Sequence, residues 1–414
     1  MSSKSSGRLV RNASTTIAAG LALLAAVDIA VADEFATADE LRLMQGFPPP
    51  AGKRVDRSNA LFTPPFNRWS YLHMREVYPS AGIPTAPTPV PIRRDIDGGI
   101  DALTVARESG EVVGIDTWLR ESYSDAVVVI HDDRIVWERY LNGMHADHPH
   151  QMMSVTKSFA GLFGLLAIAD GGLAEGDPVT DWVPELEASG AFGDATFHDA
   201  LDMVASMDFS EDYADPASGI VAYGKVLGLI DAPADEIPAA SIYDYLATLP
   251  ADPAHANGEV FHYQTPKTDV VNWVTNRATG RSFEDLFYDR LWSKLGTDGE
   301  TYVLLDRNGT LFAGGGLNAT PNDLARFAWM MSNDGRFQGR EVVPVSVIDD
   351  LSAGGDVDAF TNGSEPGGVM GGGDWSYRAQ WWVRHTTGRE AFMAIGVHGQ
   401  WIYIDVDRDV AIVK

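Results

Sequence analysis

The sequence predicts an α/β (α+β) fold: an antiparallel sheet built from both chain ends, flanked by helices and carrying an inserted, mainly helical domain. Three observations predict it. A β-rich hairpin pattern lies early, at 126–141, a β-rich meander closes the chain from 380 onward, and between them runs a long stretch of helical periodicity and Gly-rich turns. With 45% hydrophobic residues, 11 Trp and 13 Tyr over 414 positions, the chain can bury a large core, which excludes wholesale disorder. The 58 acidic against 31 basic residues leave a net charge of -27, which repels phosphates and anionic lipid and excludes nucleic acid as a partner. With no cysteine, disulfides, thiol nucleophiles and thiolate zinc sites are excluded as well.

Residues 1–32 read as a secretory signal. Lys4, Arg8 and Arg11 precede an apolar run from Ile17 to Val27, and Ala30-Val31-Ala32 supplies small residues for cleavage near Asp33. A periplasmic or secreted protein is expected, with an uncleaved leader on a cytoplasmic protein as the alternative. The run is shorter than the roughly 20 residues of a spanning helix, so no stable membrane anchor is expected. Residues 33–120 form a Pro- and aromatic-rich arm, predicted to lie extended across a surface and to be anchored by Phe47, Phe66, Trp69 and Tyr71.

A sheet domain is assigned to residues 121–172 and 334–414. Ala126–Ile130 and Arg134–Leu141 are β-rich runs around a compact His131-Asp132-Asp133 turn. Phe159 to Ala169 is apolar nearly all round and stops at Asp170-Gly171-Gly172, which predicts a buried central helix. Residues 173–333 form the helical insertion, with helical patterns at Ser282–Leu295 and Pro321–Ser332. Strands at Gln380–His385, Ala391–Val397 and Trp401–Val406 then make the meander. The sequence stops inside a strand-like run, Ile412-Val413-Lys414, so a covering helix is expected beyond it. The sequence is compatible with a homodimer.

The chemistry centres on Ser154 and Lys157. At i and i+3 of a helix start they share a face, so an amine can reach the hydroxyl. A serine needs an adjacent base to become a nucleophile, and a lysine stripped of its charge by burial supplies one. On the tetrapeptide alone, an N-capping serine with a solvated lysine is the better reading. The buried helix that follows changes this, because a lysine at its head must snorkel, neutralise or face a polar cleft.

Ser154-Val155-Thr156-Lys157-Ser158-Phe159, then Asp177-Pro178-Val179-Thr180-Asp181-Trp182, then Leu201-Asp202-Met203 with Glu211-Asp212-Tyr213, resemble the serine β-lactamase and penicillin-binding-protein superfamily. Within it the likeness is to class C-like hydrolases, above all 6-aminohexanoate-dimer (nylon oligomer) hydrolases and related carboxylesterases. Met44–Pro50, Gly314–Thr320 and Ile395–Gln400 add to it. The resemblance implies a β-lactamase-like fold and a serine hydrolase that cleaves amide or ester bonds of small linear substrates through an acyl-enzyme. It implies Ser154, Lys157 and Tyr263 as catalytic residues, Tyr263 standing in a Tyr263-Gln264-Thr265 element where Thr265 replaces the family's Asn. It also implies an oxyanion hole from the backbone N–H groups of Ser154 and Val397, and substrate contacts from Tyr213, His398 and Asn318. His398 as a packed histidine is an equal alternative.

The family's Lys-Thr-Gly strand motif is missing. Lys267-Thr268-Asp269 follows the tyrosine too closely, and Ile395-Gly396-Val397-His398-Gly399 stands in the strand position. Losing the cation that holds a substrate carboxylate disfavours the alternative function, a D-Ala-D-Ala carboxypeptidase or β-lactamase. A non-catalytic peptide-binding relative is the alternative of another class. No cofactor is implied. His145-Ala146-Asp147-His148-Pro149-His150 has metal-ligand residue types, but reads as a solvated polar loop before Ser154. Trp375, Tyr377, Trp381 and Trp382 read as core strand aromatics or as an apolar cleft lining.

Overall fold

A computed structural model describes residues 33–107, 109–363 and 370–414; the leader reading at 1–32 lies outside them. Eight strands form the main sheet, in the order Trp375–Arg378, Trp381–Arg384, Ala391–Gly396, Gln400–Asp405, Val410–Val413, Ala126–His131, Arg134–Tyr140, Arg93–Arg94. All pairs are antiparallel except the last. The seam between the chain ends is Val410–Val413 on Ala126–His131, with Val413 opposite Val128 and Ile412 opposite Val129. The expected union of early hairpin and late meander is therefore formed. The hairpin turns at Asp132, whose φ of 54° is a left-handed conformation that Asp tolerates.

Both faces of the sheet are covered, as period-2 alternation requires. Val128 and Ile130 face the main core, while Val127 packs with Leu119 and Trp137 under the short Ile115–Glu121 helix. On the core side lies the Val155–Ala169 helix, in which every residue through Ala167 is buried. It packs against the Pro266–Thr279 helix and the Ala391–Gly396 strand. Gly161 permits the closest approach: a Cβ there would sit 1.9 Å from the Ala379 carbonyl oxygen. That carbonyl belongs to a tight turn whose residues Ala379 and Gln380 both have positive φ. The turn is bolted to the helix by Ser158 Oγ donating to Gln380 O at 2.6 Å and Trp381 Nε1 donating to Ser158 O at 3.0 Å.

The Pro321–Ser332 helix matches its predicted bounds, because Thr320 caps it by accepting from Asp323 N and Pro321 occupies the first turn. The arm differs from expectation. Ser80–Ile83 pairs with Thr301–Leu304 in a second, four-stranded sheet with Leu317–Ala319 and His150–Gln151, and Arg93–Arg94 extends the main sheet. Tyr71 is a buried anchor, but Phe47 is fully exposed and anchors nothing. Edge strands of two to four residues were too short for their periodicity to stand out from the prolines around them. Among the described residues no helix is long and apolar enough to cross a membrane.

Candidate active site

Ser154 precedes the first turn of the buried helix, and Met153 before it has a φ of 47°. A bulky residue in the left-handed region is strained, and such strain persists only where the surroundings enforce it. The turn sets Ser154 Oγ at the floor of a cleft of about 600 Å³ while keeping its amide free of the helix ladder. Lys157 Nζ lies 2.8 Å from Ser154 Oγ and donates to Gly314 O at 2.5 Å. With one N–H held by that carbonyl, a neutral amine turns its lone pair to the serine hydroxyl. Burial pushes the Lys157 ammonium down to about 8, against the opposing pull of the Glu211 and Asp269 carboxylates.

Asp269 is the fully buried counter-charge. It accepts from Tyr223 OH at 2.7 Å and from Ala313 N at 2.9 Å, and burial raises its carboxyl to about 7. The Lys267-Thr268-Asp269 segment thus begins the Pro266–Thr279 helix behind the lysine. Tyr263 lines the same cleft, with Lys157 Nζ 5.1 Å from its ring centroid and Trp382 stacked on it at 5.5 Å. Of the four strand aromatics, Trp382 alone lines the cleft; Trp375, Tyr377 and Trp381 are core.

Next to the Ser154 turn, the Ala391–Gly396 strand ends just before Val397. Gly396 must be small, since a Cβ there would lie 2.6 Å from Met152 O. This close approach brings the Val397 amide beside the Met152–Ser154 turn. Among the described residues the N–H groups of Ser154 and Val397 donate to no protein acceptor, and both residues line the cleft. Two free donors at one cavity wall can stabilise a developing oxyanion.

Glu211 belongs to the Glu211-Asp212-Tyr213 motif, which by itself assigns it no role. It accepts from Thr265 N at 3.1 Å, from Thr265 Oγ1 and, at 2.9 Å, from Tyr213 OH, tying the Tyr213 loop to the Tyr263 element. Thr265 therefore uses its hydroxyl on a carboxylate of the cleft wall. Tyr213 lines the cleft as expected. His398 does not line it; at a φ of 73° it caps the turn after Val397 over the Phe62 and Tyr71 rings. Asn318 is a clear correction. It is fully buried in the second sheet opposite Gln151 and Tyr302, with Nδ2 donating to Gly316 O, so a substrate in the cleft cannot touch it. Its polar side chain on a buried strand gave no cue to which side of the Gly-rich turn it faces. Of the His145–His150 loop, His148 and His150 each meet a backbone carbonyl, and His150 also meets Asp125.

A family model described as beta-lactamase matches residues 119–414. The 6-aminohexanoate-dimer hydrolase of Paenarthrobacter ureafaciens is 33% identical over 356 residues, covering 84% of this chain and 85% of that protein. A Bacillus anthracis structure provisionally named as a 6-aminohexanoate-dimer hydrolase is 28% identical, with a TM-score of 0.77 over 88% of this chain and 91% of that one. A penicillin-binding-protein homologue from Caulobacter crescentus, 16% identical, has a TM-score of 0.51 over 70% of this chain and 85% of that one, a likeness of fold alone.

Proposed function

The chain belongs to the beta-lactamase family and is a serine hydrolase of amide or ester bonds, and from that premise we propose that it cleaves small linear amides bearing a free ammonium, of the ω-amino-acid oligomer type, through an acyl-enzyme on Ser154. The observation that carries this reading is the 2.8 Å contact of Ser154 Oγ with a buried lysine held near pKa 8, in a cleft lined by Glu211 and Asp212 and, among the described residues, by no lysine or arginine. Two carboxylates favour a cationic substrate end and disfavour the carboxylate that a penicillin presents.

In the first step Ser154 Oγ attacks the carbonyl carbon as Lys157 Nζ, assisted by Tyr263, takes the hydroxyl proton. The carbonyl oxygen becomes an oxyanion held by the Ser154 and Val397 N–H groups. As the tetrahedral adduct collapses, the C–N or C–O bond breaks and the proton passes to the leaving amine or alcohol. Water, deprotonated by Lys157 Nζ, then attacks the ester carbonyl; the acyl–Oγ bond breaks, the acid leaves, and Lys157 returns the proton to Ser154 Oγ. Trp382 and Tyr263 give an aromatic wall along which an aliphatic chain can lie.

The test is a substrate panel on purified protein: 6-aminohexanoate linear dimer, p-nitrophenyl butyrate and benzylpenicillin, with Ser154→Ala as control and fluorophosphonate labelling read by mass spectrometry. Turnover of the dimer with the label on Ser154 is expected. Penicillin as the best substrate would overturn the substrate reading; activity retained in Ser154→Ala would overturn the site. Residues 1–32 we read as an export leader, so protein recovered from the periplasm should begin near Asp33, and recovery of the full chain from cytoplasm alone refutes that. Light scattering tests the homodimer: the mass of a single chain rules it out.

A further inference from the structure

A second cluster of chemistry-bearing side chains lies beyond the Ser154 machinery, on the loop that leads into Tyr263. Asp252, His255 and His262 each present one ligand atom, and these atoms lie within 4.8 Å of one another. Asp252 Oδ1 accepts from Ala254 N at 2.8 Å, which folds the loop and fixes the carboxylate. Its Oδ2 is 2.8 Å from His255 Nδ1 and 4.0 Å from His262 Nε2. The His255 and His262 rings stand 5.5 Å apart at 49°.

An ordinary hydrogen bond accounts for Asp252 with His255. It does not account for His262, whose Nε2 is buried with no hydrogen-bond partner among the described residues while facing the same carboxylate. A buried ring nitrogen left unmet is costly, and its position calls for a further partner between it and Asp252. Ligand atoms at about 2.0–2.1 Å from a tetrahedral ion stand about 3.3 Å apart, and the observed 2.8 Å and 4.0 Å straddle that value.

We propose that Asp252, His255 and His262 bind a divalent first-row transition ion, with Zn²⁺ the best chemical match to two imidazoles and one carboxylate. The fourth position is left to water, the open arrangement of three protein ligands. The Ala254 N–H already holds the Asp252 carboxylate in place by donating to its Oδ1. Lys267 Nζ donates to His262 O at 3.1 Å and to Met203 O at 3.0 Å, so its donors are turned to backbone carbonyls. His262 lines the same cleft as Tyr263, while Asp252 and His255 are not among its lining residues, so the ion would lie at the edge of that cleft.

The test is binding and does not depend on turnover. Protein stripped with EDTA and dialysed is titrated with ZnCl₂ by calorimetry, alongside His255→Gln, His262→Gln and the double variant His145→Gln/His148→Gln. One Zn²⁺ per chain is expected in wild type and in the His145/His148 variant, with affinity lowered at least tenfold in His255→Gln and in His262→Gln. Binding that is equal in wild type and His262→Gln, or that disappears in the His145/His148 variant, overturns the proposal. Should a variant fail to fold, CoCl₂ titration of wild type decides: strong visible bands of four-coordinate Co²⁺ support the site, and weak six-coordinate bands or no binding refute it.

Discussion

Replacing Glu211 by Gln probes the electrostatics of the base directly. On the proposed mechanism Lys157 must be neutral to accept the serine proton, so kcat/KM rises with pH through its folded-state pKa, about 8. Burial sets that value, and the Glu211 charge holds it up by favouring the ammonium. Removing the charge therefore moves the acid limb to lower pH. A half-buried carboxylate stands at the low end of the one to three units that a nearby opposite charge supplies, about one pKa unit, which is about 1.4 kcal/mol. At pH 7 the neutral fraction of Lys157 then rises from about one-tenth to about one-half, so activity at pH 7 relative to the alkaline plateau rises about fivefold. Gln retains an acceptor for Thr265 Oγ1 and Tyr213 OH, but presents an NH₂ to Thr265 N, so the plateau itself should fall. The assay is kcat/KM for a p-nitrophenyl ester from pH 5.5 to 9.5, with circular dichroism as a check on folding. An acid limb that stays put or moves upward in a folded variant would falsify the assignment of that limb to Lys157.

Other substitutions test the surroundings. Gly396→Ala places a Cβ against Met152 O and should push the Val397 amide away from Ser154, lowering kcat about 100-fold in protein that circular dichroism shows to be folded; wild-type kcat refutes the role of that amide. Gly161→Ala collides with the Ala379 carbonyl and should cost about 3 kcal/mol or more, read as a clear drop in Tm, and an unchanged Tm means the helix and turn are not in the contact described. Arg378 holds Glu175, Asp202 and Asp350, so Arg378→Met leaves Asp202 buried with only His198 and the Ala379 N–H facing it, at a cost of about 3 kcal/mol. Burial already raises the Asp202 carboxyl, and in that variant its folded pKa lies further above the unfolded value. The deficit should therefore shrink as pH falls and Asp202 protonates; chemical denaturation at pH 5 and pH 8 checks the sign.

Local sequence determined much of this protein. Ser154 and Lys157 share a face because three residues make most of a helical turn, and the apolar run from Phe159 forces that helix inside, which strips the lysine of its hydration. Asp170-Gly171-Gly172 marked the end of the buried helix, and β-rich runs marked the strands that meet at the seam of the two termini. The tertiary structure decided what lies within reach of the serine. Glu211, Asp269, Gly314 and Val397 come from four separated segments, and no periodicity tells which of them converge. The same holds for Asn318, whose motif was legible while its facing was not, and for Asp252 and His262, ten positions apart and joined only by the fold of their loop. Periodicity records which face of an element is dry; contact between distant elements depends on close packing of whole surfaces, and that is settled only when the chain has closed on itself.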